Sequence, residues 1–107
     1  MTDIVIPFRP DMALACIDGK KVCTSRTKRY GWPGDTFPVT DGNGRSKSFV
    51  LRKIVQRELG YVARVLFIPE GVSSSLKFIE LWKQLHPFKG YDPSQIVFVH
   101  FFEEVHQ

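Results

Sequence analysis

The chain has 107 residues, 43% hydrophobic and 24% charged, with a net charge of +4. Those proportions argue against general disorder and predict one globular domain over 1–107 with a single core. No apolar run approaches the roughly 20 residues of a membrane helix. The opening Met1-Thr2-Asp3-Ile4-Val5-Ile6-Pro7 has neither a basic nor a long apolar stretch of a secretory signal, so a cytoplasmic protein is expected.

In chain order, a first apolar strand is predicted over 3–8. A short helix follows over 10–19, with Pro10 in its first turn and Gly19 just past its end. It delivers the chain into a short strand over 21–26, in which Lys21, Cys23 and Ser25 alternate with Val22, Thr24 and Arg26. In a regular strand Lys21 and Thr24 point to opposite faces, so a twist or bulge is expected to bring both to one site. A Pro33-Gly34 turn leads to a strand over 35–40. Asp41-Gly42-Asn43-Gly44 is a strong turn. The strand over 47–58 is apolar on both parities, as where a sheet curls into a barrel, and Gly60 breaks it.

Residues 61–68 carry β-branched and aromatic side chains that suit a strand, and so short a run has no decisive periodicity. After Pro69-Glu70-Gly71, Ser73 or Ser74 caps a helix over 75–86. Its apolar stripe is expected to be Leu76, Ile79, Trp82 and Leu85, with Lys77, Lys83 and Gln84 outward. A last strand covers 96–104. Of the histidines, His86 suits a helix C-terminus, and His100 is expected to be hydrogen-bonded and half-buried among phenylalanines.

Charge is unevenly placed. Residues 20–57 carry ten basic side chains against Asp35 and Asp41, a net +8, and the rest of the chain is −4. Such clustering points to an anionic partner. Arg26, Lys28 and Arg29 are interleaved with Tyr30 and Trp32; cations of this kind hold phosphates while an aromatic face stacks an unpaired base. For Trp32, packing beneath the Pro33-Gly34 turn is the simpler expectation. Lys20 and Lys21 extend the basic run. Cys16 and Cys23 form no CxxC or Cys/His cluster, so no metal site is expected and buried, reduced thiols are. Cations beside Cys23 would activate its thiol only by lowering its pKa.

The pattern Gly19-x-Lys21-x-x-Thr24-x-Arg26, followed by Pro33-Gly34-Asp35, Glu70-Gly71 and Trp82-x3-His86-Pro87, resembles the ASCH family nearly end to end. The resemblance implies an α+β fold: a small PUA-like β-barrel of about five or six mixed strands with two or three helices around it. It also favours helix over 61–68. In some bacterial ASCH proteins a lysine and a threonine at the places of Lys21 and Thr24, with a glutamate, are assigned to amide hydrolysis of N4-acetylcytidine. The glutamate here is Glu70. A threonine hydroxyl needs a neighbouring base to become a nucleophile, and a carboxyl group can serve as general acid or base.

Two functions are therefore expected. The first is a module whose basic cleft binds RNA, a nucleoside or a modified nucleotide through Lys20, Lys21, Arg26, Lys28, Arg29, Tyr30 and Trp32. The second is a small hydrolase, of N4-acetylcytidine or of RNA, using Lys21, Thr24 and Glu70. No cofactor is expected in either, and a monomer is favoured.

Overall fold

The computed structural model describes residues 2–106. Its elements are α1 (Pro10–Ile17), β1 (Cys23–Arg26), β2 (Thr36–Thr40), β3 (Ser46–Glu58), α2 (Leu59–Val65), α3 (Ser75–Leu85) and β4 (Ile96–Glu104). The strands form one antiparallel sheet in the order β1-β4-β3-β2. It curls into a half-barrel, so the architecture is a small PUA-like α+β fold with three helices.

The long β3 makes the curl. Residues 46–50 pair with β2, and 49–58 pair with β4, with a register shift between Leu51 and Lys53. A bulge bends a strand and inverts its side-chain parity beyond the bulge. It therefore keeps Phe49, Leu51 and Ile54 on one face and turns Val55 to the other. That is why both parities of 47–58 read as apolar.

The two faces carry separate cores. Ile6, Ile17, Phe37, Phe49, Leu51 and Phe102 pack beneath α1. Leu59, Val62, Phe78, Trp82, Val97 and Val99 pack beneath α2 and α3.

Three expectations are corrected. Residues 3–8 form one parallel bridge, Asp3 to Thr36, instead of a strand, so four strands form among the described residues. Pro7 supplies no N–H for a ladder, although Ile6 is still buried. Gly60 lies inside α2 rather than merely ending β3. A Cβ there would sit 2.9 Å from Pro93 Cβ, and its N–H donates to Pro93 O at 2.8 Å. On α3 the buried residues are Phe78 and Trp82, while Leu76 is 64% and Leu85 51% exposed. The cap is Ser74, whose hydroxyl accepts from Lys77 N. Residues 61–65 are helical, as the resemblance implies, and 66–71 continue as turns.

Candidate functional site

β1 is an edge strand of the sheet, and a cavity of about 450 Å³ lies beside it. Pro7, Phe8 and Arg9 border it on one side, Lys21 and the 24–28 segment on another. Phe78, Leu81, Trp82 and Leu85 of α3 form a wall with His86 at its end, and Met12, Tyr30, Glu70 and Val72 complete the lining. Arg9 Nη1 donates to Gln84 Oε1 at 3.2 Å, tying the N-terminal segment to α3. No bulge in β1 is needed to gather the motif. The edge of a strand is open to one space from both faces, and Lys21 precedes the strand altogether.

The alternation in 21–25 has a single target. Lys21 Nζ donates to Glu70 O at 2.8 Å and to Glu70 Oε1 at 3.2 Å. Ser25 Oγ donates to Glu70 Oε2 at 2.6 Å, and Cys23 Sγ lies 3.7 Å from the same oxygen. Lys21 and Glu70 are each only 4% exposed. A buried charge requires a partner and hydrogen bonds; each of these has both. The turn that presents Glu70 is closed by its N–H on Leu66 O and by Gly71 N on Ile68 O.

Thr24 and Arg26 take the other parity. Arg26 Nε donates to Thr24 Oγ1 at 3.1 Å and Arg26 Nη2 to Pro7 O at 2.7 Å. The guanidinium lies over Phe8 at 5.0 Å and Tyr30 at 5.6 Å. Its burial pulls its pKa below the ordinary arginine value. Among the described residues no hydrogen bond joins Thr24 to Lys21 or Glu70. His100 is fully buried, with Nε2 accepting from Tyr30 N at 2.9 Å and Nδ1 on Thr24 O at 3.2 Å. That pair of partners fixes the neutral tautomer with its proton on Nδ1, and burial lowers the pKa of the ring. His100 thus ties Thr24 to Tyr30.

Lys21, Thr24, Glu70, Arg26, Lys28 and Tyr30 border the cavity; Lys20, Arg29 and Trp32 do not. Trp32 is 61% exposed. Arg29 lies over its ring at 3.4 Å, so it is not packed beneath the Pro33-Gly34 turn. Trp82 is at once a core residue and part of the cavity wall. Cys23 is fully buried, and burial together with the Glu70 carboxylate pushes its thiol up; burial takes Cys16 to about 11. Neither is an activated thiol. Among the described residues no group of three or more His, Cys, Asp or Glu is placed to hold a metal ion, and no helix is long and apolar enough to cross a membrane. Sequence reasoning passed over Phe8, Arg9 and Phe78, which border the cavity, and Ser25, which also touches Glu70. The signal for Ser25 was the shared parity with Lys21 and Cys23.

Neither a family model nor a curated protein matches the chain. Solved structures do. Protein EF3133 from Enterococcus faecalis V583, of the DUF984 family, aligns with a TM-score of 0.71 at 15% identity, over 98% of this chain and 81% of its own. An ASCH domain from Lactobacillus crispatus JV V101 aligns at 0.71 and 12%, over 99% of this chain and 80% of its own. The fold is ASCH-like. The hypothetical protein PH0355 aligns at 0.71 and 14%, covering 98% of this chain and all of its own. At these identities the likeness is one of fold.

Proposed function

We propose that the ASCH-like cavity binds one nucleoside or nucleotide, free or as an unpaired residue of RNA. The observation that carries this reading is the meeting, in one 450 Å³ space, of the Lys21–Glu70 pair with an aromatic wall. A cation beside a carboxylate offers a donor and an acceptor to the polar edge of a heterocycle. Phe8, Tyr30, Phe78 and Trp82 offer apolar surface to its faces. Arg26 and Lys28, which form no ion pair among the described residues, are the cations left for a phosphate, with Arg9, paired to Asp11 at 3.3 Å, beside them. The volume falls within the roughly 300–1,000 Å³ of small-molecule pockets, which suits one nucleotide rather than a long strand. Arg29 over Trp32 lies outside the cavity and is available to a neighbouring nucleotide of an RNA ligand.

A second reading is favoured by one contact, Lys21 Nζ on Glu70 Oε1 at 3.2 Å. Amide hydrolysis of N4-acetylcytidine adds water across the N4–acetyl bond and releases cytidine and acetate. It needs a nucleophile, a base for its proton and an acid for the leaving amine. Thr24 Oγ1, once it leaves Arg26, would attack the acetyl carbonyl and give its proton to the Lys21–Glu70 pair, which returns one to the departing N4. Water would then hydrolyse the acetyl-threonine ester, releasing acetate and restoring the hydroxyl. Purified protein incubated with N4-acetylcytidine and followed by chromatography separates the readings, with Lys21→Ala alongside. Turnover lost in Lys21→Ala supports the hydrolase. Cytidine 5′-monophosphate binding without turnover, measured by calorimetry, supports the binding module. Neither binding nor turnover would refute both.

A further inference from the structure

The hydroxyl in contact with the buried carboxylate is that of Ser25, not Thr24. Ser25 is 8% exposed, borders the cavity, and donates to Glu70 Oε2 at 2.6 Å. Thr24 Oγ1 is instead engaged by Arg26 Nε. Glu70 is thus held at three points: its carbonyl and Oε1 by Lys21, and Oε2 by Ser25. Of the carboxylate, Lys21 holds Oε1 alone, and one contact leaves play in the last torsion, which is broad for a glutamate. The Ser25 contact removes that freedom. A general acid or base acts only when its oxygen is held within reach of the reacting atom.

We propose that Ser25 is a positioning residue, whose hydroxyl fixes the Glu70 carboxylate in the plane that keeps Oε1 on Lys21 and presents the pair to the cavity. This rests on the hydrolase reading. It assigns Ser25 no bond to the substrate and no covalent step. The other ionisable groups around Glu70 are Lys21 and Cys23 in contact with it, and Cys16 of α1, Arg26 of β1 and His100 of β4 within electrostatic reach. Among Lys21, Cys23 and Ser25, which touch the carboxylate, Ser25 is the one placed to hold Oε2 without adding charge. Cys23, at 3.7 Å and with a thiol's weak donor, does not substitute for it.

The test is steady-state hydrolysis of N4-acetylcytidine by wild type, Ser25→Ala and Ser25→Thr, with kcat and KM separated and cytidine affinity measured by calorimetry. A hydrogen bond to a charged group of this kind corresponds to about a 10- to 100-fold effect. Ser25→Ala is expected to lose that factor in kcat, with KM and cytidine affinity within about twofold of wild type. Ser25→Thr keeps the hydroxyl and is expected to recover most of the loss. A merely structural role would lower thermal stability and leave this split unmoved. Undiminished kcat in Ser25→Ala, or a Ser25→Thr no better than Ser25→Ala, overturns the proposal and leaves the hydrolase reading standing. No turnover by wild type overturns both.

Discussion

Gly71→Ala is the substitution whose effect the structure states most sharply. Gly71 has φ of +94°, and a Cβ there would lie 2.9 Å from Lys21 Cβ and 3.3 Å from Lys21 Cγ. Two penalties combine. Holding an L-residue at positive φ costs about 1–2 kcal/mol, and forcing a methyl into packed surroundings costs about 1–3 kcal/mol. The total is roughly 2–5 kcal/mol, set against the about 5–15 kcal/mol by which a domain is stable. The atoms that would be struck belong to the stem of Lys21 near the backbone, which cannot swing aside as the end of a long side chain can. Gly44 provides a matched control: its φ is +95°, and nothing lies within 4 Å of the added Cβ. Gly44→Ala therefore carries the backbone term alone, about 1–2 kcal/mol. Urea unfolding of the three proteins measures both, and thermal melts should place Gly71→Ala about 10 °C or more below wild type. Equal losses for the two variants would refute the claim that Gly71 is needed for the approach of Lys21.

Four further outcomes are expected. Lys21→Met leaves the Glu70 carboxylate buried without its cation and should destabilise by about 3–5 kcal/mol in urea. Lys21→Met combined with Glu70→Met should lose less than the sum of the two single variants. Ser74→Ala removes the α3 cap and should cost about 1 kcal/mol in the same assay. For His100, burial holds the folded pKa below that of the unfolded chain, so the unfolded state binds more protons as the pH falls through about 6.5. Stability is fully present above that value and is lost on acidification towards the folded pKa. His100→Gln should flatten this part of the pH dependence of unfolding.

Much of the fold was legible because its signals are local. Pro10 opens α1, Ser74 caps α3, and the strands expected over 35–40, 47–58 and 96–104 form within a residue of those bounds. What was not legible depended on distant partners. Gly60 reads as a breaker until Pro93 is seen to occupy the space of its missing side chain. Of the stripe Leu76, Ile79, Trp82 and Leu85, Trp82 is buried as expected, but Phe78 turns inward in place of Leu76 and Leu85, its ring packing with Trp82 in the cluster that holds Val97 and Val99. The site shows the same division. Lys21, Thr24 and Glu70 were identified by the motif they resemble, and all three border one cavity. Arg29 and Trp32 lie in the same basic run but outside it. Ser25 required knowing that Glu70 approaches the odd residues of the strand.

The charge pattern had the least direct consequence. Residues 20–57 carry a net +8, but four of their cations are paired with acids, most of them from elsewhere in the chain. Lys21 meets Glu70, Arg45 meets Asp18 and Asp41, Lys47 meets Glu104, and Arg52 meets Glu103. Antiparallel pairing of β3 with β4 brings the basic strand beside the acidic end of the last one. Part of the excess in sequence is thus held in buried, cross-strand and loop pairs, and a fixed pair gives up much of the field that would draw a polyanion. Among the described residues Lys20, Arg26, Lys28, Arg29, Lys53 and Arg57 form no ion pair. Of these, Arg26 and Lys28 border the cavity. An anion there meets two or three cations with Arg9, enough for one phosphate. Cytidine 5′-monophosphate affinity should therefore fall with salt along a shallow slope, set by those few charges rather than by eight. A calorimetric series in sodium chloride with a slope steeper than that of about three charges would refute this account and restore an extended polyanion track.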